Sequence, residues 1–255
     1  MFVIVLLSIW TQPKNNFNAL SAKRQNLDLK LHHVQEHKNF AKNNEKNCKS
    51  QKLENINSSN IQNFKDPFVG GGMTLNEQRL LAGVLQQATS VFEWGMGSST
   101  LLAMFMNVTR LTSFDSSLDW VKKVKKNTKI SQFNTSFSIL HANIGPIKSF
   151  GRPLNNDFIK LWPSYSKQVD KYPKPFDLYI IDGRFRVACA CRAILHSHCN
   201  SLFAFHDFNR KEYSEVLKIM HKLSQVHNLA ILRKKMNVSK QKVYDIWEHF
   251  KYIEA

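Results

Sequence analysis

From Thr74 onward the chain alternates short apolar runs with segments of helical period. The runs are SVFEW (90–94), RLTSFD (110–115), FSILHA (137–142), DLYIID (177–182) and SLFAFHD (201–207). Strands separated by helices of this length pair in parallel, and a parallel sheet must be covered on both faces. The first helix is marked by Thr74 and Glu77, which form a capping box, and by Leu80, Leu81, Val84, Leu85 and Ala88 on one face. Further helices are expected from about Ser99, from about Leu118 with Val121 and Val124 inward, and from about Phe185. Another should place Tyr213, Val216, Leu217, Met220 and Leu223 on one side. LAILRKKM (229–236) and VYDIWEHF (243–250) have too few residues between them for a crossover helix, so they are expected to close the sheet as an antiparallel hairpin. The expected architecture is Rossmann-like: a mostly parallel, seven-stranded sheet ending in a C-terminal hairpin, with helices on both faces.

This alternation occupies residues 70–255, and Gly70-Gly71-Gly72 reads as the hinge into it. Residues 2–10, FVIVLLSIW, are too short to span a bilayer but suit the core of a leader, so 1–22 is expected to be a signal peptide or short membrane anchor. That places the protein in the secretory pathway or at a membrane; the alternative is a cytoplasmic protein with a hydrophobic N-terminus. Residues 23–69, rich in Asn, Lys and Gln, read as a flexible polar stem. Within them His33, Glu36 and His37 have the H-x-x-E-H spacing of some zinc proteases, but no folded frame or third ligand accompanies them. Sequons open at Asn57, Asn107, Asn134 and Asn237 and add little in so Asn-rich a chain. The four cysteines do not make a disulfide framework. Cys189, Cys191, His196, His198 and Cys199 cluster without a zinc-finger spacing and read as buried thiols and a polar helix end.

In an open parallel sheet, ligands bind beyond the carboxyl ends of the strands, where strand order reverses. Gly95 and Gly97 lie in the turn after the first strand, where glycine permits unusual backbone angles and lets a ligand touch the chain. A dinucleotide fingerprint would need a third glycine at the place of Thr100. Glu93 would repel a pyrophosphate but attract the ammonium of a methionine moiety. Asp115, 18 residues past Gly97, is placed to bind ribose hydroxyls. The pattern favours S-adenosylmethionine over NAD, with Glu93, Gly95, Gly97, Ser99, Thr100 and Asp115 as cofactor residues. Asn143 would either read an adenine amine or make a turn.

Asp182 and Asp207 end the fourth and fifth strands. With His206 they are the catalytic candidates, His206 or Asp207 acting as general base. Alternatively Asp182 and Asp207 hold Mg²⁺, as in catechol-type O-methyltransferases, although Phe208 follows where a further amide or acid is usual. Arg184 and Arg186 open a helix, where the macrodipole disfavours cations, so an anionic partner is expected: internally Asp182 or Glu93, or a carboxylate, sulfate or phosphate on the substrate. The connection from Gly145 to Phe176 reads as a lid, with Trp162 and Tyr165 either contacting the acceptor or packing in the core.

The stretches EWGMGSST, SFDSSLDWV, NIGPIKSFGRP, LWPSYS, DLYIIDGRFRVACACRAIL and AFHDFNR, in this order, resemble a family of class I S-adenosylmethionine-dependent methyltransferase-like proteins, over about residues 70–255. IDGRFRVACA is the most specific string. The resemblance implies the fold and the cofactor but no substrate. Neither an N-P-P-Y motif for amino groups nor a Pro-Cys nucleophile for cytosine is present, which leaves oxygen as the expected acceptor atom. With 36 Lys and Arg against 19 Asp and Glu, a net charge of +17, the expected acceptor is an anionic small molecule or glycan. Nucleic acid is the less favoured partner. Two other readings are a non-catalytic binding or scaffold protein and an RNA methyltransferase.

Overall fold

The computed structural model describes residues 61, 63–68, 72–128 and 136–254. The expected leader 1–22, most of the stem, the His33-Glu36-His37 triplet, the sequons at Asn57 and Asn134, and Gly70-Gly71 lie outside the described residues. Among those described, no helix is long and apolar enough to cross a membrane.

Helix α1 (Leu75–Leu85) opens on the expected capping box: Thr74 accepts from the Glu77 amide and Glu77 accepts from the Thr74 amide. The main sheet comprises β1 (Ser90–Trp94), β2 (Arg110–Asp115), β3 (Ser136–His141), β4 (Leu178–Ile181), β5 (Leu202–Phe205), β6 (Met220–Val226) and β7 (Leu229–Lys234). Its order is β3-β2-β1-β4-β5-β7-β6. Strands β1 to β5 pair in parallel, and β7 runs antiparallel to both neighbours. The chain winds outward from β1 through β2 to β3, then returns to lay β4 on the other side of β1. The order therefore reverses between β1 and β4, the position where a ligand crevice is expected.

Period-two alternation sorts the strand side chains onto two faces. Phe92, Trp94, Phe114, Tyr179, Phe203 and Phe205 belong to an aromatic core covered by α4 (Arg186–His196), α5 (Lys240–Phe250) and the 142–177 connection. Val91, Leu111, Leu178, Ile180, Leu202 and Ala204 belong to an aliphatic core under α1, α2 (Ser98–Phe105) and α3 (Leu118–Thr128). Ile61 and Phe68, from within 23–69, are buried in this second core, and Phe64 packs against it.

The hairpin is present but is built from other residues than expected. LAILRK pairs with Met220–Val226 upstream of it, while VYDIWEHF lies within α5. Val243, Trp247 and Phe250 are buried at intervals of four and three, a helical stripe, and Ser239 caps the helix by accepting from the Lys242 amide. The expected helix through Tyr213 and Leu223 is a 3-10 segment, Lys211–Lys218, that ends before Met220. The hairpin turn uses His227, with φ at 48°, and Asn228. It lacks the glycine that usually announces a two-residue turn.

Candidate active site

The β1 turn is set by packing of chain on chain. Gly95 has φ at 86°, and a Cβ there would lie 2.4 Å from the Gly183 nitrogen; a Cβ on Gly183 would lie 2.1 Å from the Tyr165 hydroxyl. The turn after β1 thus rests directly on the turn after β4, and both positions require glycine. This differs from the expectation that Gly95 makes room for a ligand. At Gly97 the nearest atom to an added Cβ, on Trp120, is 3.7 Å away, an ordinary contact, so packing does not demand glycine here as it does at Gly95.

Glu93 is wholly buried and accepts from three hydroxyls, those of Ser99, Thr100 (2.6 Å) and Ser113. The Thr100 oxygen also accepts from the Gly97 amide at 2.9 Å. Burial pushes the Glu93 carboxyl up to about 7 despite those hydroxyls. Glu93 therefore braces the start of α2, with Ser99 and Thr100 turned toward it.

In front of the turn is a hollow of about 140 Å³, lined by Phe68, Gly72, Met73, residues 95–99, Trp120 and Asp182, whereas Glu93 and Asp115 are not among its lining residues. The Trp120 indole N–H donates to the Met96 carbonyl at 2.6 Å, and its ring lies 5.0 Å from that of Phe68. Phe68, Met73 and Trp120 were not singled out from sequence. Trp120, an aromatic in the first turn of the helix after Asp115, carried a readable signal; the other two are placed by tertiary packing. Asp115 ends β2 and accepts from the Ser117 amide at 2.7 Å. Its carboxyl is raised to about 6, chiefly by burial.

The ends of β4 and β5 hold a charged cluster. Asp182 Oδ1 lies 3.1 Å from His206 Nδ1 and 3.1 Å from Arg186 Nη2, which is also 3.1 Å from Asp207 Oδ2. The other Arg186 nitrogens donate to the carbonyls of Gly183 (2.9 Å) and His206 (2.6 Å). Asp207, in the left-handed region at φ 57°, also accepts from Arg210 at 2.6 Å. Burial alone would raise the Asp182 carboxyl, but Arg186, His206 and Arg184 together hold it below its ordinary value. Burial would likewise lower His206, but its bond to Asp182 and the charges of Asp182 and Asp207 bring it above the ordinary imidazole value. His206 Nε2 has no hydrogen-bond partner among the described residues and sits 3.7 Å from Glu77 Oε1.

Asp182, His206 and Asp207 present donor atoms within 4.8 Å of one another. They do not fit Mg²⁺, which demands a shell of oxygen ligands. The Arg186 guanidinium occupies the place between the two carboxylates, 3% exposed and locked by two carbonyls. Of the alternatives for Arg186, the internal ion pair is the one formed.

The remaining candidates are distributed as follows. Asn143 is exposed and its side-chain oxygen accepts from the Gly145 amide at 2.9 Å, the turn chemistry of the two readings. Trp162 and Tyr165 are buried and pack on Phe185 with centroids 5.6 and 5.9 Å away, the core reading. Cys189 and Cys191 are buried free thiols. His196 bonds to Tyr179 and the Tyr172 carbonyl, His198 to Asp177, and Cys199 is disulfide-bonded, so this cluster is dispersed among other partners.

No family model and no curated relative matches the chain. Solved structures do. A methyltransferase-like protein from Silicibacter pomeroyi superposes with a TM-score of 0.64 at 22% identity, over 71% of this chain and 95% of that one. An O-methyltransferase from Bacillus cereus, solved in complex with SAH, gives 0.48 at 14% identity over 64% and 82%. The chain has the Rossmann-like fold of class I methyltransferases.

Proposed function

We propose that the protein is an S-adenosylmethionine-dependent methyltransferase acting on an oxygen of an anionic small molecule or glycan. The carrying observation is that Asp182, ionised and rigidly held, lines the same hollow as the glycine turn at the point where strand order reverses. When bound, S-adenosylmethionine supplies a methyl group on a positively charged sulfur. The chain's part is to hold that charge and the acceptor. Gly97 lines the hollow with backbone alone and Asp182 would face the positive centre and the acceptor hydroxyl; Asp115, outside that lining at the end of β2, would take the ribose hydroxyls. Glu93, Ser99 and Thr100 act behind the turn by keeping its shape. As the acceptor oxygen gains the methyl, its proton passes to Asp182, with His206 as the positioning residue that shares it. Arg186 supplies the positive charge beside the two carboxylates, so the proposed reaction is metal-independent. Entry into the secretory pathway is part of the proposal, supported by the apolar run at 2–10 and the disulfide at Cys199.

A second reading has its own support. The hollow is smaller than the roughly 300–1,000 Å³ of small-molecule pockets, with Phe68 and Met73 forming part of its wall. That favours a methyltransferase-like binding or scaffold protein.

Calorimetric titration with S-adenosylmethionine separates the two. The enzyme reading expects saturable heat at micromolar ligand, weakened by Gly97→Val; no heat at millimolar ligand establishes the scaffold. With an acceptor in hand, Asp182→Asn should lower kcat by about 10²–10⁴-fold.

A further inference from the structure

Arg186 begins α4 and Arg184 lies two residues before it, and the structure treats them in opposite ways. Arg186 has four acceptors around it. Arg184 is only 8% exposed, yet its Nη1 is buried without a hydrogen-bond partner among the described residues. Among the described residues no carboxylate reaches its guanidinium within ion-pair distance. Asp115 and Asp182 feel its charge without pairing with it. Its charge is disfavoured first by burial, then by Arg186, and also by Arg152, which approaches from the ribbon Ile147–Lys148/Arg152–Pro153 of the connection. The first turn of α4 contains no acidic residue to offset it. A buried cation facing other cations, at the positive end of a helix, is an arrangement that folding alone disfavours.

We infer that Arg184, together with Arg152, is the receptor for an oxyanion: a carboxylate, sulfate or phosphate group. Its position two residues past Asp182, at the end of β4, makes that oxyanion a substituent of the methyl acceptor. This last step rests on the methyltransferase reading; the binding of the oxyanion does not. Guanidinium groups bind such groups through parallel charge-assisted hydrogen bonds. Arg186 cannot do so, because its nitrogens are already held by Gly183, His206, Asp182 and Asp207.

The test titrates the full chain, without cofactor, with acetate, sulfate and inorganic phosphate in turn, following melting temperature and heat of binding. At least one oxyanion should stabilise the wild type, and which one does so separates a carboxylate from a sulfate or phosphate group. Arg184→Met should bind it about tenfold to hundredfold more weakly. Unliganded, that variant should melt no lower than wild type, since it removes an uncompensated buried charge. Arg152→Met, at an exposed position that leaves the fold intact, should weaken the same binding. Absence of stabilisation by all three anions overturns the inference, as does binding by both variants as tight as by wild type. A large fall in the melting temperature of unliganded Arg184→Met would also overturn it, by making the residue a structural one. If an oxyanion binds while S-adenosylmethionine does not, the receptor stands and the methyltransferase reading falls.

Discussion

Carboxylates at the ends of neighbouring strands of one sheet are handled in two ways. At β1 and β2, Glu93 and Asp115 face hydroxyls and amides, and burial raises them to about 7 and about 6. At β4 and β5, Asp182 and Asp207 share the Arg186 guanidinium, and Asp182 is held below its ordinary value. The strand geometry is common to both pairs, so the difference lies in the partners. At Glu93 and Asp115 the surrounding donors lower the carboxyl less than burial raises it; at Asp182 a fixed cation reverses the balance. One half of the crevice is thus poised near neutral and pH-sensitive, while in the other Asp182 is held toward its ionised form.

The strongest way to break this contrast is Arg186→Met. It leaves Asp182 and Asp207 without their shared cation and should cost about 3–5 kcal/mol of stability. Denaturant unfolding measures it, and a loss well under 1 kcal/mol would mean the β4–β5 half is no more charge-dependent than the other.

Glu93 offers the next largest effect. Burial pushes its folded carboxyl up to about 7, well above the ordinary carboxylate value. Its contribution is therefore full below the unfolded value and is lost as pH rises through about 7, which amounts to about 3 kcal/mol. Stability curves from about pH 5 to about pH 8 should fall for wild type and lack this component in Glu93→Gln. Parallel curves would show that the three hydroxyls already keep Glu93 ionised.

Asn143 sharpens the contrast by its weakness. Among the described residues its side chain bonds only within its own turn, so Asn143→Ala should shift stability by less than about 1 kcal/mol. A change in S-adenosylmethionine affinity of tenfold or more would instead restore it as an adenine contact.

Much of the fold is legible in the chain, and the reason is local. The capping box at Thr74 and Glu77, the five strands and the helices between them depend on neighbours a few residues away. The sheet's far edge is misread because two local signals conflict. Val243, Tyr244, Ile246 and Trp247 favour strands by type, but their burial spacing is helical. The partner of Leu229–Lys234 was obscured by a His-Asn turn without glycine.

The candidate site is legible as a set of residues and not as a set of roles. Sequence brought Glu93, Asp115, Asp182, His206 and Asp207 to one end of the sheet, because strand ends and strand order follow from chain pattern. It left Arg184 and Arg186 equivalent, Trp162 and Tyr165 undecided, and a metal allowed between Asp182 and Asp207.

Taken alone, the amino-acid order determined that the chain would form a two-sided parallel sheet with its polar strand ends on one edge, since periodicity and turn residues act over short range. Only the tertiary structure decided which of those polar groups are charged, paired or open. That depends on which turn rests on which, as Gly95 does on Gly183, and on where a single guanidinium lodges. Such contacts join residues far apart in the chain, and their energies depend on burial and distance, which no local pattern encodes.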